Sequence, residues 1–460
     1  MEAEAPGLIF TIAVFLVALT VLVLVHEMGH FLVARWCKVK VDVFSIGFGK
    51  ELWGRNDKHG TRWRVSAIPL GGYVKFFGDS SGASTADKGA LDTMSEADKA
   101  ISFHHQKLWK RAAIVFAGPF VNLVFAALIF ATIVFINGAR VTSTEVGFVG
   151  ESAAAEGLMV GDVITSINGR AVDRFDELQE VARFFPDQKL EIEVLRRDQP
   201  LSLSLSTTST KMEDRWGNEH VLGVLAVGAP VQEAVVDRIY LDSTAQKYDF
   251  KREDRIVAVD GLAINTVDEL RANLADKADK AAFITIERDG EFIEKDVIVG
   301  GYDQEQADGT IKKVGMIGVT LATGQMREFG LFASLAEGKK TTVRHLKNFT
   351  TTIGQLIMGL RSVKELSGPV GMAAMVGEVA QTGFTNYMIF MALISINLGF
   401  VNLLPIPLLD GGHLMFYGIE AVKGGPLPER AQELAFMVGF AFVIGLMLFL
   451  TLNDLHSIVL

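Results

Sequence analysis

Cysteine is almost absent from this sequence: Cys37 stands alone among 460 residues. That excludes an internal disulfide framework and any zinc site built on thiolates, leaving Cys37 as a packed or interfacial thiol. Positive charge is in deficit, with 44 Lys and Arg against 54 Asp and Glu and a net charge of −10. No basic stripe with interleaved aromatics occurs, so nucleic acid is not an expected partner. At the amino terminus Glu2 and Glu4 stand where a secretory leader carries Lys or Arg, and no small-residue cleavage site follows the first apolar run. The run is therefore expected to be a retained span. Its residues 8–25 carry no charge at all.

What is abundant is apolar residues, 49% of the chain, gathered into runs rather than spread. Four stretches are long enough to cross a bilayer: 8–34, 112–139, 388–409 and 434–452. Basic residues near the span ends set the expected orientation. Arg35, Lys38 and Lys40 follow the first span, Lys107, Lys110 and Arg111 precede the second, and Lys423 and Arg430 separate the third from the fourth. Segments 35–111 and 413–433 are thus expected in the cytoplasm. Both termini and the large insert after residue 140 fall on the other side.

Inside the first span lies His26-Glu27-Met28-Gly29-His30. Two histidines four residues apart project from one helix face and can share a zinc ion, with Glu27 placed to act on water. The usual setting of this motif is a soluble zinc protease. Ionisable groups within a span are costly, about 2.5–3.5 kcal/mol each on insertion scales, which argues against accident. His26 sits roughly 27 Å along its helix, toward the cytoplasmic side. The third span ends at similar depth with Leu409-Asp410-Gly411-Gly412-His413, and either Asp410 or His413 can supply a third ligand. Asn397 and Asn402 precede them, with Pro405 and Pro407 breaking the helix and leaving carbonyls exposed. Broken backbone within a membrane is tolerated where protein or a wet cavity surrounds it. A zinc held by two histidines and a third ligand keeps a position open for chemistry. Glu27 would then serve as general base, and Asn397 and Asn402 would hold a substrate backbone or an oxyanion.

After the first span, 44–49 and 62–68 are β-prone, followed by Pro69-Leu70-Gly71-Gly72 and then Tyr73-Val74-Lys75. This reads as a hairpin about the Pro/Gly turn, either dipping toward the membrane as an edge strand or lying amphipathic at the surface. Residues 78–100 are polar and small, as in a flexible loop. Between Leu331 and Arg361 a mildly basic helical pattern is expected against the outer membrane surface.

The insert repeats itself. Gly161-Asp162-Val163-Ile164 with Asn168-Gly169 matches Glu253-Asp254-Arg255-Ile256 with Asp260-Gly261 at an offset of 92, a period of tandem domains rather than a solenoid. Each copy reads as strand, turn, helix and alternating strands. The copies resemble bacterial, circularly permuted PDZ domains, with Leu222-Gly223-Val224 and Ile317-Gly318-Val319 matching the peptide-capturing loop and strand of that family. The second copy has Asp249 and Glu253 where the first has Gly157 and Gly161. Peptide capture and steric filtering both remain open.

Taken together, His26 through His30, Asn397 through Asn402 and Leu409-Asp410-Gly411 resemble the signature of the site-2 proteases, zinc intramembrane metalloproteases, over the length of the chain. The fold expected is a polytopic α-helical membrane protein with four transmembrane helices, a membrane-associated β-hairpin region and two tandem α+β PDZ-like domains inserted between the second and third spans. Expected boundaries are 1–36, 37–111, 112–139, 140–230, 231–328, 329–385, 386–412, 413–433 and 434–460. The resemblance implies Zn2+ on His26, His30 and Asp410, and substrate contacts from Asn397, Asn402 and the strand around Gly71, Gly72, Tyr73, Val74 and Lys75. It also implies cleavage, by a monomer in the bacterial inner membrane, of single-span proteins: an anti-sigma factor after a first external cut, and remnant signal peptides. Two rivals survive on residues alone. A metal transporter has no need of Glu27, and a silent adaptor has no need of His26 or Asp410.

Overall fold

The computed structural model describes residues 7–79, 93–213, 219–230, 233–240, 243–305, 311–322, 325–358, 368–425 and 427–459. The chain divides into two compact units, one built mainly from 5–137 and 328–460, the other from 138–214 and 219–327.

In the first unit, helix α1 (Leu8–Trp36) presents Ala18, Leu22, His26 and Gly29 as its buried stripe. Strands β1 (Val41–Asn56) and β2 (Arg62–Phe76) follow. Next come α2 (Leu108–Asn137), α3 (Leu331–Ile357), α4 (Pro369–Gln381), α5 (Phe384–Leu403), α6 (Asp410–Lys423) and α7 (Glu429–Val459). Among the described residues four helices are long and apolar enough to cross a membrane: α1, α2, α5 and, within α7, Arg430–Leu455. Cys37 is buried in a cluster with Phe31, Phe44, Phe76 and Ile114, as a packed thiol.

Several boundaries move. The hairpin turn lies at 57–61, where the Asp57 carboxylate accepts from the amides of His59 and Thr61, and not at Pro69–Gly72. Residues 69–72 lie inside β2, which is bent there. Residues 41–46 pair on one side with 72–76 and on the other with 62–65, and 53–56 pair again with 62–65. The hairpin therefore folds back on itself, with 72–76 at one edge. Gly47 and Gly49, both at φ +85°, let β1 turn the matching corner.

The third span stops at Leu403 rather than running to 412, because Pro405 disfavours helical backbone at Leu404, which is extended at ψ 144°. Residues 413–433 are not a loop: α6 runs to Lys423 and ends on Gly424 in the left-handed conformation. Within 329–385, Leu331–Ile357 and Pro369–Gln381 are the helices α3 and α4 rather than linker, and 359–367 lie outside the described residues. Helix α3 packs along α2, where a Cβ on Gly338 would lie 2.3 Å from the Ala127 carbonyl, and Phe130 stacks on His345. Of the segment 78–100, residues 80–92 lie outside the described residues, and 96–101 form a short helix.

The second unit holds two copies of one four-stranded sheet. Strands Arg170–Ala171, Val163–Ile167, Lys189–Arg196 and Gln199–Ser206 take the same order as Leu262–Ala263, Arg255–Val259, Ala281–Arg288 and Glu291–Ile298. The offset of 92 runs through both cores, with Ile164, Ile167, Leu178, Leu190, Ile192 and Val194 answered by Ile256, Val259, Leu270, Ala282, Ile284 and Ile286. It also corrects one match. Gly223 pairs with Ser209 and its Cα abuts the Ala182 carbonyl, whereas Gly315 pairs with Gly301 and abuts the Leu274 carbonyl. The counterpart of Leu222-Gly223-Val224 is thus Val314-Gly315-Met316, while buried Ile317 answers Leu225. Leu-Gly-Val and Ile-Gly-Val are alike locally, but they stand 95 residues apart, out of step with the offset of 92.

Candidate metal centre

Three side chains from two separate helices converge. His26 Nε2 and His30 Nε2 are 3.1 Å apart, and Asp410 Oδ2 lies 3.2 Å from the first and 3.6 Å from the second. One ligand atom from each falls within 4.8 Å of the others, a grouping able to hold a metal ion. The donor set, two imidazoles and a carboxylate, is the kind that binds zinc with a position left over.

The local sequence makes this convergence possible. His26 and His30 share a face of α1 through the helical repeat, their rings 4.8 Å apart and nearly perpendicular. That face crosses α2 at glycines: a Cβ on Gly29 would meet the Ala117 carbonyl at 2.4 Å, and one on Gly118 would meet His30 Nε2 at 2.3 Å. Asp410 arrives at the first turn of α6, where a carboxylate faces the positive end of the helix dipole. It is carried there by the turn at 404–409, in which Leu408 is held at φ +102°. Such a conformation is strained for a leucine and persists only where packing enforces it. Gly411 and Gly439 enforce it here, since a Cβ on Gly411 would lie 2.2 Å from the Leu404 carbonyl and one on Gly439 2.1 Å from that of Pro407. Farther along α6, Glu420 pairs with Arg111 of α2 at 2.5 Å, and the same guanidinium lies over the Tyr417 ring.

The second nitrogens of both histidines are engaged by α2. His30 Nδ1 lies 2.8 Å from the Ile114 carbonyl oxygen, and His26 Nδ1 lies 3.2 Å from the Asn122 amide nitrogen. Sequence reasoning missed Ile114, Gly118 and Asn122. A signal existed: an asparagine and a Gly-Pro pair within the apolar run 112–139.

The other candidates are distributed unevenly. Glu27 neighbours the cluster on α1, and the backbone of Val74 hydrogen-bonds to its carboxyl. Gly72 lies in the same edge segment, its Cβ position 3.4 Å from Glu27 Cγ, and Gly71 faces the Phe48 ring at φ +137°. Tyr73 stacks on Phe48 and carries the Arg64 guanidinium, and Lys75 pairs with Val43. Asn397 and Asn402 are half-buried near the end of α5, outside the three-residue cluster. His413, the competing ligand, instead packs its ring against Phe436 of α7.

These features define a class first: an enzyme whose polar centre is built on a helix apolar enough to cross a membrane, with α6 supplying the third side chain. Comparison with known proteins agrees. The model of peptidase family M50 matches residues 14–446. The regulator of sigma-E protease RseP of Escherichia coli is 35% identical over 97% of this chain and 98% of its own length. Protease RseP of Yersinia pestis is 32% identical over 97% and 99%, and "Putative zinc metalloprotease Atu1380" of Agrobacterium fabrum 33% over 97% and 95%. The chain belongs to peptidase family M50, the site-2 proteases, and is a metalloprotease.

Proposed function

We propose that this chain is a zinc-dependent endopeptidase of the bacterial inner membrane that cuts the transmembrane segments of single-span proteins. The observation that carries the reading is the meeting of Asp410, at the head of α6, with His26 and His30 beside Glu27 on α1, a helix that can span a bilayer. His26, His30 and Asp410 hold the ion. Zinc bound there supplies Lewis acidity toward a peptide carbonyl and toward water. Glu27 takes up the proton released on attack and delivers it to the leaving amine. Asn397 and Asn402 hold the substrate backbone or the developing oxyanion.

A helical substrate hides its amides in internal hydrogen bonds and must unwind to be cut. The edge segment 72–76, running beside Glu27, would pair with the freed backbone as an added strand. Two relatives bear names tied to sigma-E regulation, which supports an anti-sigma factor, trimmed beforehand outside the membrane, as one substrate, with remnant signal peptides as another. The paired repeats, PDZ-like in pattern, stand on the non-cytoplasmic side with both termini and exclude substrates with bulky external parts, or capture peptide at Leu222–Val224 and its counterpart.

The test is Glu27→Gln in the full chain, assayed on a purified single-span substrate with and without its external domain. Cleavage should fall by about 10²–10⁴-fold while zinc stoichiometry holds. An undiminished rate sinks the mechanism.

A further inference from the structure

Helix α2 backs both imidazoles from one face. Ile114, Gly118 and Asn122 are spaced four residues apart: the Ile114 carbonyl meets His30 Nδ1, Gly118 leaves room for both rings, and the Asn122 side chain meets His26 Nδ1. The two contacts differ in kind. A carbonyl oxygen accepts, so His30 carries its hydrogen on Nδ1 and presents a lone pair at Nε2. Toward His26 the amide presents Nδ2, a donor, while Asn122 Oδ1 is buried without a hydrogen-bond partner.

A neutral imidazole has a single N–H. If Nε2 of His26 gives its lone pair to a cation, the hydrogen resides on Nδ1, where it would face the amide N–H donor to donor. Rotating the amide by half a turn exchanges two atoms of nearly equal size and brings the orphan Oδ1 onto that hydrogen. Little else at the residue is free to adjust. Asn122 is fully buried, its backbone carbonyl accepts from Ser395 Oγ of α5 at 2.9 Å, and a Cβ added at Gly399 of α5 would lie 3.4 Å from its Cβ.

We propose that Asn122 is a positioning residue whose Oδ1 accepts from His26 Nδ1–H, fixing the imidazole tautomer that presents Nε2 to the metal. This rests on the metal reading above. Hydrogen-bonded partners behind a ligating histidine are typically worth about 10–100-fold in metal affinity.

The experiment measures zinc affinity by chelator competition, and the visible spectrum of bound Co2+, on the full chain in detergent carrying Glu27→Gln. Asn122→Ala should weaken zinc by about 10–100-fold and alter the Co2+ spectrum. Asn122→Asp, which keeps the shape and the acceptor but has no donor, should restore both toward the parent. Unchanged affinity in Asn122→Ala overturns the assignment, as does an equal loss in Asn122→Asp, which would mean that the amide donates. If Asn122→Ala yields too little folded protein, Asn122→Asp decides alone. A parent chain that binds no zinc through His26, His30 and Asp410 would overturn the metal reading instead.

Discussion

Asp162 and Asp410 are both carboxylates withdrawn from water, yet they face groups of different kinds. Asp162, in the first repeat, accepts from Arg196 Nε at 2.8 Å on one oxygen, and from Arg196 Nη2 at 2.8 Å and the Met159 amide at 2.9 Å on the other. Asp254 in the second repeat does the same with Arg288 and the Lys251 amide. These are closed sets, every charge matched by a fork of donors. Asp410 instead faces two imidazole nitrogens, each held from behind by α2. All three groups are able to give electron pairs to one ion. A closed set secures a fold; an open set of lone pairs serves a ligand.

The sharpest way to break that contrast is to spoil the open set without touching its members. Gly118→Ala puts a methyl group where His30 Nε2 now lies 2.3 Å away, against helices already in backbone contact at Gly29 and Ala117. We expect zinc binding to weaken by at least about 100-fold, and proteolysis to be lost with it, while the repeats unfold as in the parent. Undiminished zinc affinity in this variant would mean that the imidazoles have space the crossing does not reveal.

The closed sets should answer with stability instead. Asp162→Ala removes the buried acceptor of three hydrogen bonds and leaves the half-exposed Arg196 guanidinium and the Met159 amide without it, so the denaturant midpoint of the repeat unit should fall, with zinc content unchanged. Asp254→Ala should match it, given the shared geometry. The pH dependence has a definite sign. Hydrogen bonds from Arg196 hold the Asp162 carboxyl below the usual carboxylate range, against the opposing pull of burial. The unfolded chain therefore takes up the proton first as pH falls. The pair's contribution is complete above the ordinary aspartate value, about 3.9, and fades as pH drops through the lower folded value. Acid unfolding followed by circular dichroism should show this loss, and Asp162→Asn should flatten it.

How much of this was legible beforehand follows the range of the interactions. The spacing of His26 and His30 is a property of one helix, and the offset of 92 a property of one sequence against itself; both could be read directly. Depth alone offers either Asp410 or His413 as the third ligand, the resemblance favours Asp410, and its place at the head of α6 depends on Gly411 and Gly439 meeting the carbonyls of Leu404 and Pro407. Pro69–Gly72 carries turn chemistry yet only bends β2, whereas the turn at 57–61 rests on the Asp57 carboxylate. Helix α3 has the alternation of a surface helix, and nothing in its pattern says that α2 supplies the other surface. Asn122 and Gly118 stand out in the apolar run 112–139, but their roles exist only at a crossing of helices distant in sequence.

The finest distinction lies between the two repeats. Gly157 and Gly161 hold φ of +94° and +88°, and their counterparts Asp249 and Glu253 hold +52° and +72°. The loop keeps its form despite the change: Gly161 N–H donates to the Val146 carbonyl and Glu253 N–H to that of Val236, each at 2.8 Å. A left-handed conformation costs a residue with a Cβ about 1–2 kcal/mol, eased for aspartate by its short polar side chain. Glycine avoids that cost but loses about 0.5–1 kcal/mol more conformational entropy on folding. Glu253→Gly should therefore stabilise the second repeat by less than about 1 kcal/mol, and Asp249→Gly should lie near zero. Gly161→Ala should cost the first repeat about 1 kcal/mol, through conformation alone, since a Cβ there meets nothing within 4 Å. Chemical denaturation of the three variants separates these values. A loss in Glu253→Gly would show that the glutamate side chain contributes more to the loop than its backbone strain takes away, and that the copies differ in what holds their loops as well as in sequence.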